Sequence, residues 1–420
     1  MSFQQGLSGL NATSKNLQVI GNNIANANTF GSKVARAEFS DVYATALSGA
    51  GTSNIGIGVN LASVSQQFTQ GNIKITESPM DLAINGAGFF QVTDERSAVS
   101  FSRNGQFKVD RDGFLVNNAQ QKLLGYAVDA IGQIQPGLAV PLQLPTGGVA
   151  PSPTASVSLE MNLDARKGVT LPATGAQIDF ADADTYNNAT SLTVYDAKGQ
   201  GVALTYFFQK SANDTWNVYA TANGTSIAGT AAAPLPVTTI VFSADGKAPT
   251  SPAAPVAFDI PATTNSVGAN TLPINQVLLN LSDATQFGSA FGVTNMQQDG
   301  FSAGQLTAIS VEANGIITAR YSNGQSRTAG QIEIANFRNP QGLQPLGDNG
   351  WARSFASGNP VMGVPGEGNL GVLQSGALEE SNIDLTGELV NMITAQRIYQ
   401  ANAQTIKTQD QVLQTLVNLR

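Results

Sequence analysis

Glycine and carboxylate patterns are the parts of this sequence that could do chemistry, and each can be weighed against what that chemistry requires. Gly366-Glu367-Gly368-Asn369-Leu370-Gly371 has the spacing G-x-G-x-x-G, with which a dinucleotide site brings backbone amides and a helix N-terminus to a pyrophosphate. Such a site needs a strand feeding the glycines and a helix opening at them. Val361-Met362-Gly363-Val364-Pro365 precedes the run, and Val372-Leu373-Gln374-Ser375-Gly376 is too short and glycine-bounded for the helix, so a glycine-rich loop is expected. Asp182 and Asp184 could open an oxygen-ligand cation loop, but the glycine and distal glutamate of a calcium loop are missing. They read as solvated loop acids. Asp110 and Asp112, ahead of Gly113, read as turn formers between Phe107 and Phe114. Glu379 and Glu380 stand just before a periodic apolar run, where acids complement the positive end of a helix. No carboxylate pair stands out as a glycosidase couple. The Asn-x-Thr triplets at Asn11, Asn188, Asn213 and Asn223 are expected by chance in a chain this rich in both residues.

What is missing narrows the field further. The 420 residues include no cysteine and no histidine, which removes disulfides, zinc fingers, thiol nucleophiles and serine–histidine couples. No catalytic, cofactor-binding or metal residue is expected, and the chain is not expected to be an enzyme. Charged residues make up 12%, against about 25% in an ordinary soluble protein. The surface is therefore rich in neutral polar groups or covered by partners. A formal charge of 21 − 29 = −8 without a basic stripe argues against nucleic-acid binding. No apolar run reaches the roughly 18 residues of a membrane span, and no cleavable secretory signal opens the chain.

The elements that must position these residues differ between ends and middle. Phe3, Leu7, Leu10, Leu17 and Ile24 follow a heptad spacing completed by Ser14 and Gly21, and Ile20 widens the stripe. Leu385, Leu389, Met392, Tyr399, Ala403, Ile406, Leu413 and Val417 repeat that spacing near the C-terminus, interrupted by Gln396 and Asp410. One such stripe alone reads as a helix lying on its own core. Here two stripes sit at opposite termini, where they can pair, and their outer faces are nearly uncharged. From Met1 to Ser32 the only charge is Lys15, while amides fill the polar positions. Amides suit a face that meets protein, because they donate and accept hydrogen bonds without the cost of burying charge.

Between the ends, strands and turns are expected. Residues 33–72 form a low-charge connector in which alternation begins near Val59, after Asn54-Ile55-Gly56-Ile57-Gly58. From Ile73 to Leu144 short β runs are broken by Asn85-Gly86, Asn104-Gly105 and Asp112-Gly113, dipeptides suited to hairpins. Residues 147–290 are a Thr/Ala/Ser/Pro/Gly-rich block with strand-like runs at 191–195, 202–208 and 216–219 and a proline-rich loop from Ala248 to Pro255. Strand patterning then returns from Ile309 to Ala335, with turns at Asn314-Gly315 and Asn323-Gly324. The expected fold is multidomain α+β. N- and C-terminal helices (1–32 and 376–420) pair as a coiled-coil-like inner domain, with connectors at 33–72 and 358–375. Two mainly antiparallel β domains follow, a discontinuous core (73–146 and 291–357) and an outer domain (147–290) inserted in it.

Four segments carry a family resemblance. Gly21 to Lys33, containing Asn23-Ile24-Ala25-Asn26, Thr29 and Gly31, resembles the N-terminal signature of bacterial flagellar axial proteins, the rod and hook subunits. Asp81 to Val92 with Phe101 to Leu115, Gly330 to Trp351, and Gly376 to Arg420 resemble the β core and C-terminal helix of that family. The 147–290 block is unmatched by motif, and an insert of this size resembles hook-type rather than rod-type subunits. The resemblance implies an extracellular structural subunit, exported without a cleaved signal peptide and self-assembling through its terminal helices. The product would be a curved hollow tube that joins motor to filament as a flexible joint. It also implies as partners many copies of the same chain, rod proteins at the base, a hook cap during assembly, junction proteins at the tip and the flagellar export apparatus. Neither nucleic acid nor membrane insertion is implied. Some spirochaete hook subunits are cross-linked through a cysteine-derived bond, which this chain cannot form. The readings set beside this one are a distal rod-type subunit with an extra inserted domain and a carbohydrate-binding or adhesive β protein.

Overall fold

The computed structural model describes residues 2–42, 56, 58–94, 98–129, 132–170, 178–265 and 267–418, with side chains to Thr415 in the last helix. The connector positions Asn54, Ile55 and Ile57 and the side chain of Val417 lie outside the described residues. Long helices stand at the two ends, α1 (Ser2–Asn26) and α2 (Leu385–Asn418), and the chain between them is strand and turn with two short 3-10 segments among the described residues. The fold is multidomain α+β. It forms two compact units, one of Met1–Thr146, Ala308–Arg320 and Ser326–Arg420, the other of Gly147–Thr307 and Tyr321–Gln325.

In the first unit α2 begins where Asp384 Oδ1 accepts the Thr386 N–H at 3.0 Å, satisfying one of the free donors of the first turn. No proline interrupts the helix, and its one glycine, Gly387, falls in the first turn. The acids expected to serve this helix end, Glu379 and Glu380, lie in and just after the strand Ala377–Glu379, ahead of the cap. The β core is assembled from both chain segments. Strand Phe89–Thr93 pairs antiparallel with Ser100–Ser102, Lys122–Tyr126 and Ile334–Asn336. Phe68, Phe89, Phe101, Phe337 and Trp351 fill the space beside it, with edge-to-face contacts such as Phe101 to Phe337 at 4.8 Å. Such ring pairs contribute about 0.5–1.5 kcal/mol each beyond area burial.

Three of the five turn dipeptides close hairpins: Asp112-Gly113, Asn314-Gly315 and Asn323-Gly324. The other two do not, because the strands beside them pair elsewhere. Leu82–Asn85 pairs with Val372–Ser375 rather than with its successor. A Cβ on Gly105 would stand 1.7 Å from Leu82 O, so that glycine serves close backbone approach instead of a hairpin turn.

The second unit packs two larger sheets around its main core, with a separate two-stranded ribbon of Gly229–Thr230 and Ala233–Pro234. One sheet runs Asn188–Tyr195, Gly201–Ala212, Thr215–Ala222, Thr238–Phe242, Pro249–Ser251, with Thr225–Ser226 beside it; the other runs Val256–Ile260, Ile274–Asn280, Ser156–Asn162, Gly292–Gln298. Val202, Leu204, Tyr206 and Phe208 alternate inward along one strand and meet Trp216, Val157, Leu159, Val277 and Leu279. This unit extends to Thr307, past the compositional change near residue 290, because Gly292–Gln298 pairs with Ser156–Asn162.

Candidate assembly site

α1 and α2 pack against each other, on α2 partly through the marked stripe, since Ile406 faces Gly6, but on α1 not along the stripe that the apolar pattern marks. On α1 the side facing α2 holds Gly6, Gly9, Thr13 and Ile20, and Asn23 is buried on the same row. That row also has heptad spacing, one position out of phase with Phe3, Leu7, Leu10, Leu17 and Ile24. One residue is about 100° around a helix, so the predicted stripe flanks the seam instead of filling it. The glycines explain the choice. A Cβ on Gly6 would lie 3.0 Å from Ile406 Cγ1, and one on Gly9 2.9 Å from Asn402 Nδ2, so their absence lets the helices approach closely.

The consequence is a large unpartnered apolar face. Phe3 and Leu7 are 46% and 45% exposed, while Leu10, Leu17 and Ile24 are half-buried. On α2, Met392, Ala403 and Ile406 are half-buried, but Leu385, Leu389, Tyr399 and Leu413 are exposed. Val390 and Ile393, outside the predicted stripe, are 58% and 53% exposed. Exposed apolar area of this extent marks an interaction surface.

A polar junction fixes the helix pair to the β core. Glu379, fully buried, accepts from Lys33 Nζ at 2.6 Å and Gly71 N at 2.9 Å through Oε1, and from Arg103 Nη1 at 3.1 Å through Oε2. Lys33 also donates to Thr69 O at 2.8 Å, and Arg103 to Gly86 O at 2.9 Å while lying over the Phe89 ring. Burial pushes the Lys33 ammonium and the Arg103 guanidinium below their ordinary pKa values, and attraction to Glu379 opposes that shift. One carboxylate thus joins the end of the N-terminal signature, the β core and the entry to α2.

Two asparagines extend the junction. Asn23 binds Ala35 twice, donating to its carbonyl at 2.8 Å and accepting its N–H at 3.0 Å. Asn382 accepts from Val34 N at 2.8 Å and donates to Gln67 O at 2.8 Å and to Thr69. Gly31 adopts φ +71°, and a Cβ there would stand 2.5 Å from Asn104 N. Its N–H donates to Glu379 O at 2.8 Å. Of the other signature residues, Asn26 bonds Asn22, Thr29 lies in the turn after α1, Ile24 is half-buried and Ala25 is exposed. Sequence reasoning missed Lys33, Arg103, Glu379 and Asn382. A usable signal was the isolated Lys33 at the end of an almost uncharged segment, which needs an anion if it is buried.

Gly366 to Gly371 is a loop between strands Val361–Gly363 and Val372–Ser375, closed by Gly366 N to Gly371 O at 2.9 Å, with no helix opening from it. Asp182 caps the 3-10 turn Ala183–Thr185 by accepting from Asp184 N. Among the described residues no group of three or more acids is placed to hold a metal, and no helix is long and apolar enough to cross a membrane.

Helical ends that meet, a β core made of two chain segments and a β unit set between those segments define a class of subunit, and known proteins of that class match throughout. Residues 3–33 match the flagella basal body rod protein family and 374–419 the flagellar basal body rod FlgEFG protein C-terminal family. Residues 83–196 match the flagellar hook protein FlgE/F/G D1 domain and 162–301 the flagellar basal body protein FlaE D2 domain. Flagellar hook protein FlgE of Salmonella typhimurium is 40% identical over 423 residues, and that of Escherichia coli 41% over 428, each alignment covering 100% of both chains. The Borreliella burgdorferi hook protein is 33% identical over 451 residues, covering 100% of this chain and 99% of its own. In fold, the Helicobacter pylori flagellar hook protein FlgE2 superposes with a TM-score of 0.53 at 15% identity, over 73% of this chain and 100% of its own. The chain belongs to the flagellar hook protein family. It is a structural subunit of the bacterial hook, a polymer of itself within the flagellum.

Proposed function

We propose that this subunit polymerises through the exposed apolar face of its terminal helix pair into a curved hollow tube that serves as a flexible joint between motor and filament. The observation that carries this reading is the face itself: Phe3, Leu7, Leu389, Val390, Ile393 and Leu413 stand exposed on a pair whose buried seam uses other residues. Two helices without a third partner leave this area in water, and neighbouring copies remove it. Hydrophobic burial of roughly 25 cal/mol per Å2 then drives assembly.

The role is structural and non-catalytic. The Thr/Ser/Ala/Gly-rich surface of the second unit, on which acids outnumber bases, offers neighbouring copies few charge pairs that fix a register and so lets them slide. Family membership supports rod proteins at the base, a cap during growth, junction proteins at the tip and the flagellar export apparatus as partners, and export without a cleaved signal. Full-length similarity to hook proteins favours this over a rod-type or carbohydrate-binding role. Electron microscopy of the purified full chain under polymerising conditions tests it. Hollow curved tubes are expected, and a chain that stays monomeric at every concentration contradicts the proposal.

A further inference from the structure

A cleft of about 310 Å3 opens between α1, α2 and strand Ala35–Val42, with Asn16, Ile20, Gln67, Glu388, Ala395 and Ile398 in its walls. Two polar atoms of these wall residues are shielded from solvent without a hydrogen-bond partner: Gln67 Nε2, a donor, and Glu388 Oε2, an acceptor. Both backbones are pinned. Gln67 N donates to Val34 O at 2.9 Å and its carbonyl accepts from Asn382, while Glu388 N donates to Asp384 O at 2.9 Å. The terminal torsions of glutamine and glutamate are soft, so each group turns toward the cleft at little cost. The folded chain therefore keeps a donor and an acceptor without partners on two residues of this cleft's wall, which is unfavourable unless something completes them.

A side-chain amide is the group that matches both, because it donates to a carboxylate and accepts from an amide N–H. Ammonium and guanidinium groups cannot accept, and a carboxylate cannot donate. Such amides line the outside of α1: Gln4, Asn11 and Gln18 recur every seven residues, Asn22 follows one turn later, and all four are exposed. We infer that the cleft receives a side-chain amide from this row on a neighbouring copy of the chain. Cleft and row are different surfaces of one subunit, so the contact is heterologous and propagates from copy to copy instead of closing a dimer. The inference rests on the helix-mediated assembly proposed above and names one of its contacts.

The test measures the critical concentration for tube formation together with the urea midpoint of the full chain. Glu388→Leu and Gln67→Leu each leave the midpoint unchanged or raised, since an unmade buried group is removed, and raise the critical concentration about tenfold. A purely structural role would lower the midpoint instead. Within the amide row, one substitution among Asn11→Ala, Gln18→Ala and Asn22→Ala produces a similar rise and adds nothing to Glu388→Leu. Assembly at the unmodified concentration by both cleft variants means that water alone fills the cleft and overturns the inference. So does coupling of Glu388→Leu to Lys15→Ala or Arg397→Ala, which would make the occupant a cation, or full additivity with every substitution in the row. Tube formation that ignores Val390→Ser with Ile393→Ser would instead defeat the underlying helix-mediated reading, so the two failures are distinguishable.

Discussion

Glu379 shows how much one buried carboxylate can organise. It is shielded from water and bound by Lys33, Arg103 and Gly71, which come from segments that the chain order keeps far apart. Removing one partner of a buried ion pair leaves an uncompensated charge, so Glu379→Ala should cost about 3–5 kcal/mol of stability. Urea unfolding followed at Trp351, with Trp216→Phe to isolate it, measures that loss; an effect below about 1 kcal/mol would contradict the assignment of Glu379 as the centre of the junction. Asp164, in the second unit, makes a pH prediction. The Arg166 guanidinium holds its carboxyl at about 2, below the ordinary value. A depressed folded pKa contributes stability above the unfolded value of about 3.9 and loses it as pH falls toward about 2. Asp164→Asn should flatten the acid dependence of the Trp216 transition in that window, whereas an unchanged slope would show that the pair has no energetic role. At this scale the sequence was only partly informative. Asp110 is the turn former expected, its Oδ1 accepting from Asp112 N and Phe114 N. Glu379, by contrast, reads from sequence as a helix-end acid, because its partners lie at sequence separations that local spacing does not encode.

Among the elements, the helix pair was legible in existence and not in phase. Heptad spacing located both helices, since long amphipathic runs without proline leave few alternatives. The seam escaped because two heptad rows overlap on α1, and hydrophobicity favours the one that faces outward in the single chain. Gly6 and Gly9 decide the packing through what they lack, which a search for apolar side chains passes over. Gly9→Leu should therefore force α1 and α2 apart and abolish the protection of α1 amides in hydrogen exchange, leaving the Trp216 transition in place. Unaltered protection would mean that the helices do not pack through this row. The two failed hairpins have a related cause. Asn85-Gly86 and Asn104-Gly105 have turn chemistry, but Leu82–Asn85 finds its partner at Val372–Ser375, so long-range pairing overrides the local signal.

For the molecule as a whole, the low charge and the order of segments carried most of the information. Ends that meet, a core shared by two segments and a unit between them were readable from composition and pattern, and the fold class follows from those features. The limit of the second unit was less readable, because Gly292–Gln298 resembles its neighbours in composition and is placed by pairing with Ser156–Asn162. A sparsely charged, amide-rich chain with apolar helices left exposed is a subunit whose surface is completed by its own copies. The most direct measurement is assembly of the Val390→Ser, Ile393→Ser double variant, whose changes lie on the exposed face away from the seam. The prediction is a full chain with unchanged Trp216 and Trp351 unfolding transitions that forms no tubes at concentrations where the unmodified protein does. Tubes of normal form at the normal concentration would contradict the claim that this face drives assembly.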